Sequence, residues 1–172
     1  MDIFIEKLHM TDADDLFNFE VENRTFFEEM VPTRGDEYYN FENFKKGLET
    51  LLEEQVIGSS RFYLIKDKDR SILGRINLVD IDEVHKVGYL GYRVGEVHTG
   101  KGIANKALKL LLETVSEKEI KQIKAQTTTN NIPSQKVLEK NGFKKVCTSS
   151  EEFDMDGQMV SFVYYSLNIS SC

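Results

Sequence analysis

The chain has 172 residues, 40% hydrophobic and 30% charged, the make-up of one ordinary globular domain able to bury a core. No apolar run approaches the roughly 20 residues that span a bilayer, and residues 1–7 lack a basic stretch followed by an apolar core, so neither a membrane partner nor a secretion signal is expected. A net charge of −7 argues against a general nucleic-acid binder and favours cationic partners such as amines or basic protein tails.

Ile3, Ile5 and Leu8 begin a strand pattern that ends at Thr11 and Asp12, where a helix start is followed by Leu16, Phe17, Phe19 and Val21. Residues 26–32, closing on Pro32, and then Gly35 interrupt that helix. Phe41, Phe44, Leu48, Leu51 and Leu52 fall three or four apart and predict a second helix. Residues 61–66 read as a strand that turns through 67–70 into 72–79. There Ile76 and Leu78 alternate with Arg75 and Asn77, as in the half-buried arm of a hairpin. Residues 87–94 form another strand, in which Gly88 and Gly91 hint at a bulge or a close backbone approach. Ile103, Ala107, Leu108, Leu111, Leu112 and Val115 mark the clearest helix. A short strand at 122–127 precedes a helix over 131–141, with Asn131 as cap, Pro133 in the first turn and Gly142 as stop. Final strands over 143–148 and 159–167 are joined by an acidic loop. The expectation is one α/β domain over 1–172 with a mixed sheet and a β-α-β-α-β unit in its C-terminal half.

Residues 95–102, Gly-Glu-Val-His-Thr-Gly-Lys-Gly, stand one residue from the phosphate loop of nucleotide hydrolases. Gly102 occupies the place of the magnesium-binding hydroxyl, and no apolar strand ending in aspartate follows. A dinucleotide fingerprint fails because Asn105 takes the third glycine position. A tight strand-to-helix turn would also need glycine. The remaining reading is a pyrophosphate held without metal by backbone N–H groups, a helix dipole and Lys101, as coenzyme A would be.

Gly100-Lys101-Gly102-Ile103-Ala104, then Asn131-x-x-Ser134 and residues 137–143, resemble the GNAT superfamily of acyl-CoA N-acyltransferases. Residues 90–92, Leu-Gly-Tyr, and the closing Asp156-Gly157 with Tyr164-Tyr165 resemble its branch that acetylates ribosomal-protein N-termini. The resemblance implies a single GNAT domain of the α/β (α+β) class. Its mostly antiparallel twisted sheet would have about seven strands and about four flanking helices. It implies acetyl-CoA as co-substrate, no metal, and a small amine or a protein N-terminus as acceptor, in a cytoplasmic enzyme compatible with a homodimer. Cys147 and Cys172 suit that reducing compartment, and neither is placed to carry an acyl group.

By the same resemblance Tyr92, Arg93 and Val94 would run beside the pantetheine arm, and Thr99, Gly100, Lys101, Gly102, Ile103 and Ala104 would surround the pyrophosphate. Thr99 departs from the Gln or Arg usual there. Asn131 and Ser134 would stand near the thioester, with Ser134 or water as the acid, because Leu138 replaces the tyrosine many relatives use. Tyr89 replaces a glutamate base, leaving Glu152 as the acidic candidate, with Asp82 and Glu83 as others. Phe26, Phe27, Met30 and Tyr89 would line the acceptor side. Ordinary alternatives stand beside these roles: a plain helix cap for Asn131, core packing for the aromatic patch, a solvated loop for the acids. A catalytically weak or inactive acyl-CoA-binding module, acting as a sensor or by binding a partner, is the alternative function.

Overall fold

The computed structural model describes residues 1–169, so Cys172 lies outside the described residues. In chain order the elements are β1 (Ile3–Lys7), α1 (Ala13–Glu22), α2 (Arg24–Met30), α3 (Phe41–Ile57), β2 (Arg61–Asp67), β3 (Ile72–Asp82), β4 (Val87–Val94), α4 (Ile103–Glu113), β5 (Gln122–Thr128), α5 (Ile132–Lys140), β6 (Lys144–Thr148), β7 (Phe153–Met155), β8 (Gln158–Val160) and β9 (Phe162–Asn168). Seven strands make one sheet in the order β1-β2-β3-β4-β5-β9-β6, and β7 pairs with β8 in a separate hairpin. All neighbours in the large sheet are antiparallel except β4 and β5. No helix among the described residues is long and apolar enough to cross a membrane.

Both faces of the sheet are covered, so β2 reads as an almost continuous buried run and not as an alternation. Its Tyr63 and Ile65 join Ile76, Leu78 and the α4 stripe of Ile103, Ala107, Leu108 and Leu111 on one face. Phe62 and Leu64 join Leu16, Phe19, Phe27, Phe44 and Leu48 from the first three helices on the other. α3 is capped as its sequence suggests, the Asn40 Oδ1 accepting from the Asn43 N–H at 3.2 Å.

Two expectations are corrected, at residues 24–30 and at 159–167. Residues 24–30 are a helix and not an interruption: α2 is two turns long, too short to show a period, and is fixed by buried Phe27 and the Arg24–Glu28 ion pair at 3.0 Å. Among the described residues there are five α-helices, in keeping with the about four expected once short α2 is added. The expected strand over 159–167 is broken at Ser161 into β8 and β9, because Asp156 and Gly157, at φ 52° and 82°, fold part of the acidic loop into the β7–β8 hairpin.

Candidate active site

β4 and β5 pair only from Val87↔Gln122 to Leu90↔Ala125. Beyond Leu90, β4 follows β3 as far as Val94, whereas β5 follows β9 as far as Thr128. The sheet splits there, and alternate residues of β4 turn their N–H and C=O groups into the gap. A cleft of about 370 Å³ occupies the split, bordered by Tyr92, Arg93, Gln126, Thr127, Asn131 and Ser134, with Met30, Val31 and Pro32 at one side. Close backbone approach occurs on β3 and not at the β4 glycines: a Cβ on Gly74 would strike the Arg93 carbonyl, while Gly91 has open space and Gly88 ordinary contacts. The irregularity in pairing lies between Val79 and Asp82 on β3.

The loop after β4 is anchored from α1. A Cβ on Gly95 would lie 3.0 Å from the Phe19 ring, and the Glu96 N–H donates to Asn23 Oδ1 at 2.8 Å. Thr99 Oγ1 donates to the Glu96 carbonyl at 2.7 Å, so its proton closes the turn and is not directed at a phosphate. Gly100 and Gly102 hold φ of 75° and 76°, conformations that glycine adopts without strain, and a Cβ on either would meet nothing within 4 Å. Gly102 is the N-cap of α4 and offers no side chain to it, so the first-turn N–H groups and positive dipole end face outward with exposed Lys101. The Ile103 side chain is in the core, which leaves that residue its backbone as a ligand contact, and Ala104 is half-buried. Half-buried His98 has its Nδ1 buried without a partner. Asn105, at the missing third glycine, accepts from Asn141 at 2.7 Å and ties α4 to α5.

Across the split, Asn131 caps α5, its Oδ1 accepting from the Ser134 N–H at 3.2 Å. The Tyr92 hydroxyl lies 3.0 Å from Ser134 Oγ and 3.2 Å from the Ser134 carbonyl, so the two hydroxyls share one hydrogen bond. Burial pushes the Tyr92 phenol up to about 12, against the Ser134 bond and with a further push from Tyr165. Tyr92 therefore stays a neutral donor at physiological pH. Leu138 is buried at the cleft wall and offers no polar atom.

Polar residues of β3 complete the floor. Arg75, 5% exposed, donates to Glu20 Oε1 at 2.7 Å, and Arg93 donates to Glu20 Oε2 at 3.0 Å. Glu20 is fully buried. Burial alone would raise its carboxyl, but Arg75 and Arg93, helped by Arg34, hold it below the ordinary value. For Arg93, burial leads in lowering basicity, Glu20 opposes it, and Arg34 and Arg75 add to it by like charge. Arg75 and Arg34 both donate to the Tyr38 hydroxyl at 3.2 Å, and Arg93 sits 4.5 Å over the Phe27 ring. Asn77 Oδ1, buried on the same strand, has no partner.

The cleft thus gathers Tyr92, Arg93, Asn131, Ser134 and Met30 of the expected residues, with Thr99 to Ala104 on the adjoining loop and helix. Phe26 and Phe27 are packed in the helical core, and it is Met30, Val31 and Pro32 that reach the cleft. Tyr89 is 42% exposed and outside the lining, as is exposed Glu152, just before β7. Asp82 is taken up by His85 at 2.8 Å, and Glu83 borders a different groove. The sequence reading missed Glu20, Arg34, Arg75 and Asn77. The available signal was the Arg75–Asn77 alternation itself, whose polar face meets the cleft and not bulk water.

A family model described as an acetyltransferase (GNAT) domain matches residues 2–144. The chain is 28% identical over 159 residues to the probable N-acetyltransferase YjcK of Bacillus subtilis, covering 90% of this chain and 87% of that protein. It is 26% identical over 169 residues to the ribosomal protein uS5-alanine N-acetyltransferase of Escherichia coli, covering 96% and 87%. The solved structure of RimL, a ribosomal L7/L12 alpha-N-protein acetyltransferase in complex with coenzyme A, matches with a TM-score of 0.88 at 18% identity, covering 97% of this chain and 94% of that one. With the split sheet, the glycine loop and this family match together, the chain belongs to the GNAT acetyltransferase family and is an N-acetyltransferase.

Proposed function

We propose that the protein transfers an acetyl group from acetyl-CoA to a primary amine by direct attack, with both substrates bound together. The supporting observation is the open edge of β4 beside the uncapped, glycine-led start of α4. A pantetheine arm fits that edge as an added strand along Tyr92, Arg93 and Val94. The pyrophosphate fits the N–H groups between Gly100 and Ala104, with Lys101 supplying charge and Thr99 shaping the turn.

In the transfer, the amine lone pair forms the C–N bond as the C–S bond breaks, and an N–H on the open edge of β4 polarises the carbonyl. The proton leaves the amine for water. Tyr92, at about 12, is a weaker acid than a thiol of pKa about 8.5, so this site holds a departing thiolate by hydrogen bonding and does not fully protonate it. When Tyr92 donates to Ser134 Oγ, the serine O–H is free to point at the sulfur. Ser134 is then the catalytic contact, while Tyr92 and the cap Asn131 are positioning residues. No carboxylate lines the cleft among the described residues, and Glu152 receives no part in the step. An α-amine of pKa about 7.7–8.0 is already about one-tenth neutral at pH 7, and nearby arginines raise that fraction.

Calorimetry with acetyl-CoA in the absence of magnesium tests the cofactor reading, and free-thiol release with a panel of amines tests transfer. Tight binding without turnover of amines or N-terminal peptides would overturn the transfer mechanism.

A further inference from the structure

Arg34 from the loop after α2, Arg75 from β3 and Arg93 from β4 line the same cleft, and no Asp or Glu does so among the described residues. Glu20 behind them binds Arg75 and Arg93 and offsets one of the three charges, which leaves an excess of two. Buried charges are expensive unless matched, and arginine in particular presents a fork suited to a carboxylate. Arg75 spends its Nη1 on Glu20 and Tyr38 inside the protein. Arg34 is exposed, held over the Tyr38 ring at 4.9 Å, and able to turn toward a ligand. Beside this group stands the opposite kind of atom, the buried and unpartnered Asn77 Oδ1, which accepts an N–H.

An acceptor for N–H and donors for an anion, next to each other at the head of the split, match an amine with a carboxylate a few bonds away. We infer that the acceptor is an α-amine with such a carboxylate, either a free amino acid or a peptide N-terminus whose first side chain is acidic. Arg34 and Arg93 hold the carboxylate, and Asn77 Oδ1 accepts from the attacking amine and sets its lone pair toward the thioester. The same positive excess opposes a polyamine, which brings several cationic groups and no anion. This specificity rests on the acetyl-transfer reading above.

The test compares pairs that differ in one charge: L-methionine with L-methioninamide, and a C-terminally amidated peptide beginning Asp-Ala with one beginning Asn-Ala, with spermidine as the cationic contrast. The expected result is a kcat/KM about ten- to a hundredfold higher for the carboxylate-bearing member of at least one pair, and the pair that shows it identifies the source of the carboxylate. Arg34→Gln should erase most of that ratio through KM, and Arg34→Glu should reverse it, with acetyl-CoA affinity held in both. Arg34 is exposed, so these variants should fold as wild type does. Equal rates within both pairs, or a preference for spermidine, would overturn the inference. If no amine turns over, the transferase reading falls separately. The same pairs titrated into CoA-loaded protein by calorimetry then decide the anion preference, equal affinities refuting it and a carboxylate-dependent affinity upholding it.

Discussion

Glu20→Gln is the sharpest perturbation of the site's foundation. Glu20 is fully buried and accepts charge-assisted bonds from Arg75 at 2.7 Å and Arg93 at 3.0 Å. A glutamine keeps one accepting oxygen, turns an N–H₂ toward an arginine, and removes the counter-charge of both. Two such bonds are worth about 1.5–3 kcal/mol each, and breaking a buried ion pair from one side costs about 3–5 kcal/mol. The variant should therefore lose about 3–5 kcal/mol, or about 6–20 °C of Tm for a domain of this size. Urea unfolding is the assay, with the midpoint moved and the slope unchanged. The pH dependence supplies a second check. Because the folded-state carboxyl is held below its ordinary value near 4.5, the wild-type advantage is complete above that pH. It closes as pH falls through the depressed folded value. A loss below about 1 kcal/mol at pH 7, or a gap that widens in acid, would refute the view that the Glu20 charge holds the two arginines.

Gly102→Val places a β-branched residue at φ 76°, so it should cost about 1–3 kcal/mol in a melt and weaken acetyl-CoA binding at least about tenfold by calorimetry; unchanged affinity in the folded variant would sink the pyrophosphate assignment. Tyr92→Phe removes the partner of the Ser134 hydroxyl and should lower kcat about tenfold with the KM for acetyl-CoA held, while Ser134→Ala in that background should add little further loss in steady-state kinetics. Asn131→Ala should cost about 1 kcal/mol of stability in urea unfolding through the lost cap of α5.

Much of the molecule is written locally. The α4 stripe, the Asn131–Pro133 helix start, the β2–β3 hairpin and the glycine pair at 100 and 102 each follow from spacing or from a backbone conformation, and each predicts its element without knowledge of the rest. Gly102 in place of a magnesium-binding hydroxyl is equally local, because its φ of 76° is a conformation that glycine adopts without strain. α2 was hidden because two turns carry no readable period, so the burial of Phe27 decides it. Tyr92 and Ser134 are 42 residues apart, and Glu20 and Arg93 are 73 apart. No local pattern encodes such meetings. Most of the element order, the glycine loop and the family likeness are legible along the chain, because they depend on near neighbours, whereas α2 and the β7–β8 hairpin are not. Only folding brings Arg75 and Asn77 to a cleft and not to solvent, sets Glu20 against two of the cleft's three arginines, and gives an acidic protein a cationic cleft. Charge sums over the whole chain, whereas a ligand meets the few residues that the split between β4 and β5 leaves within reach.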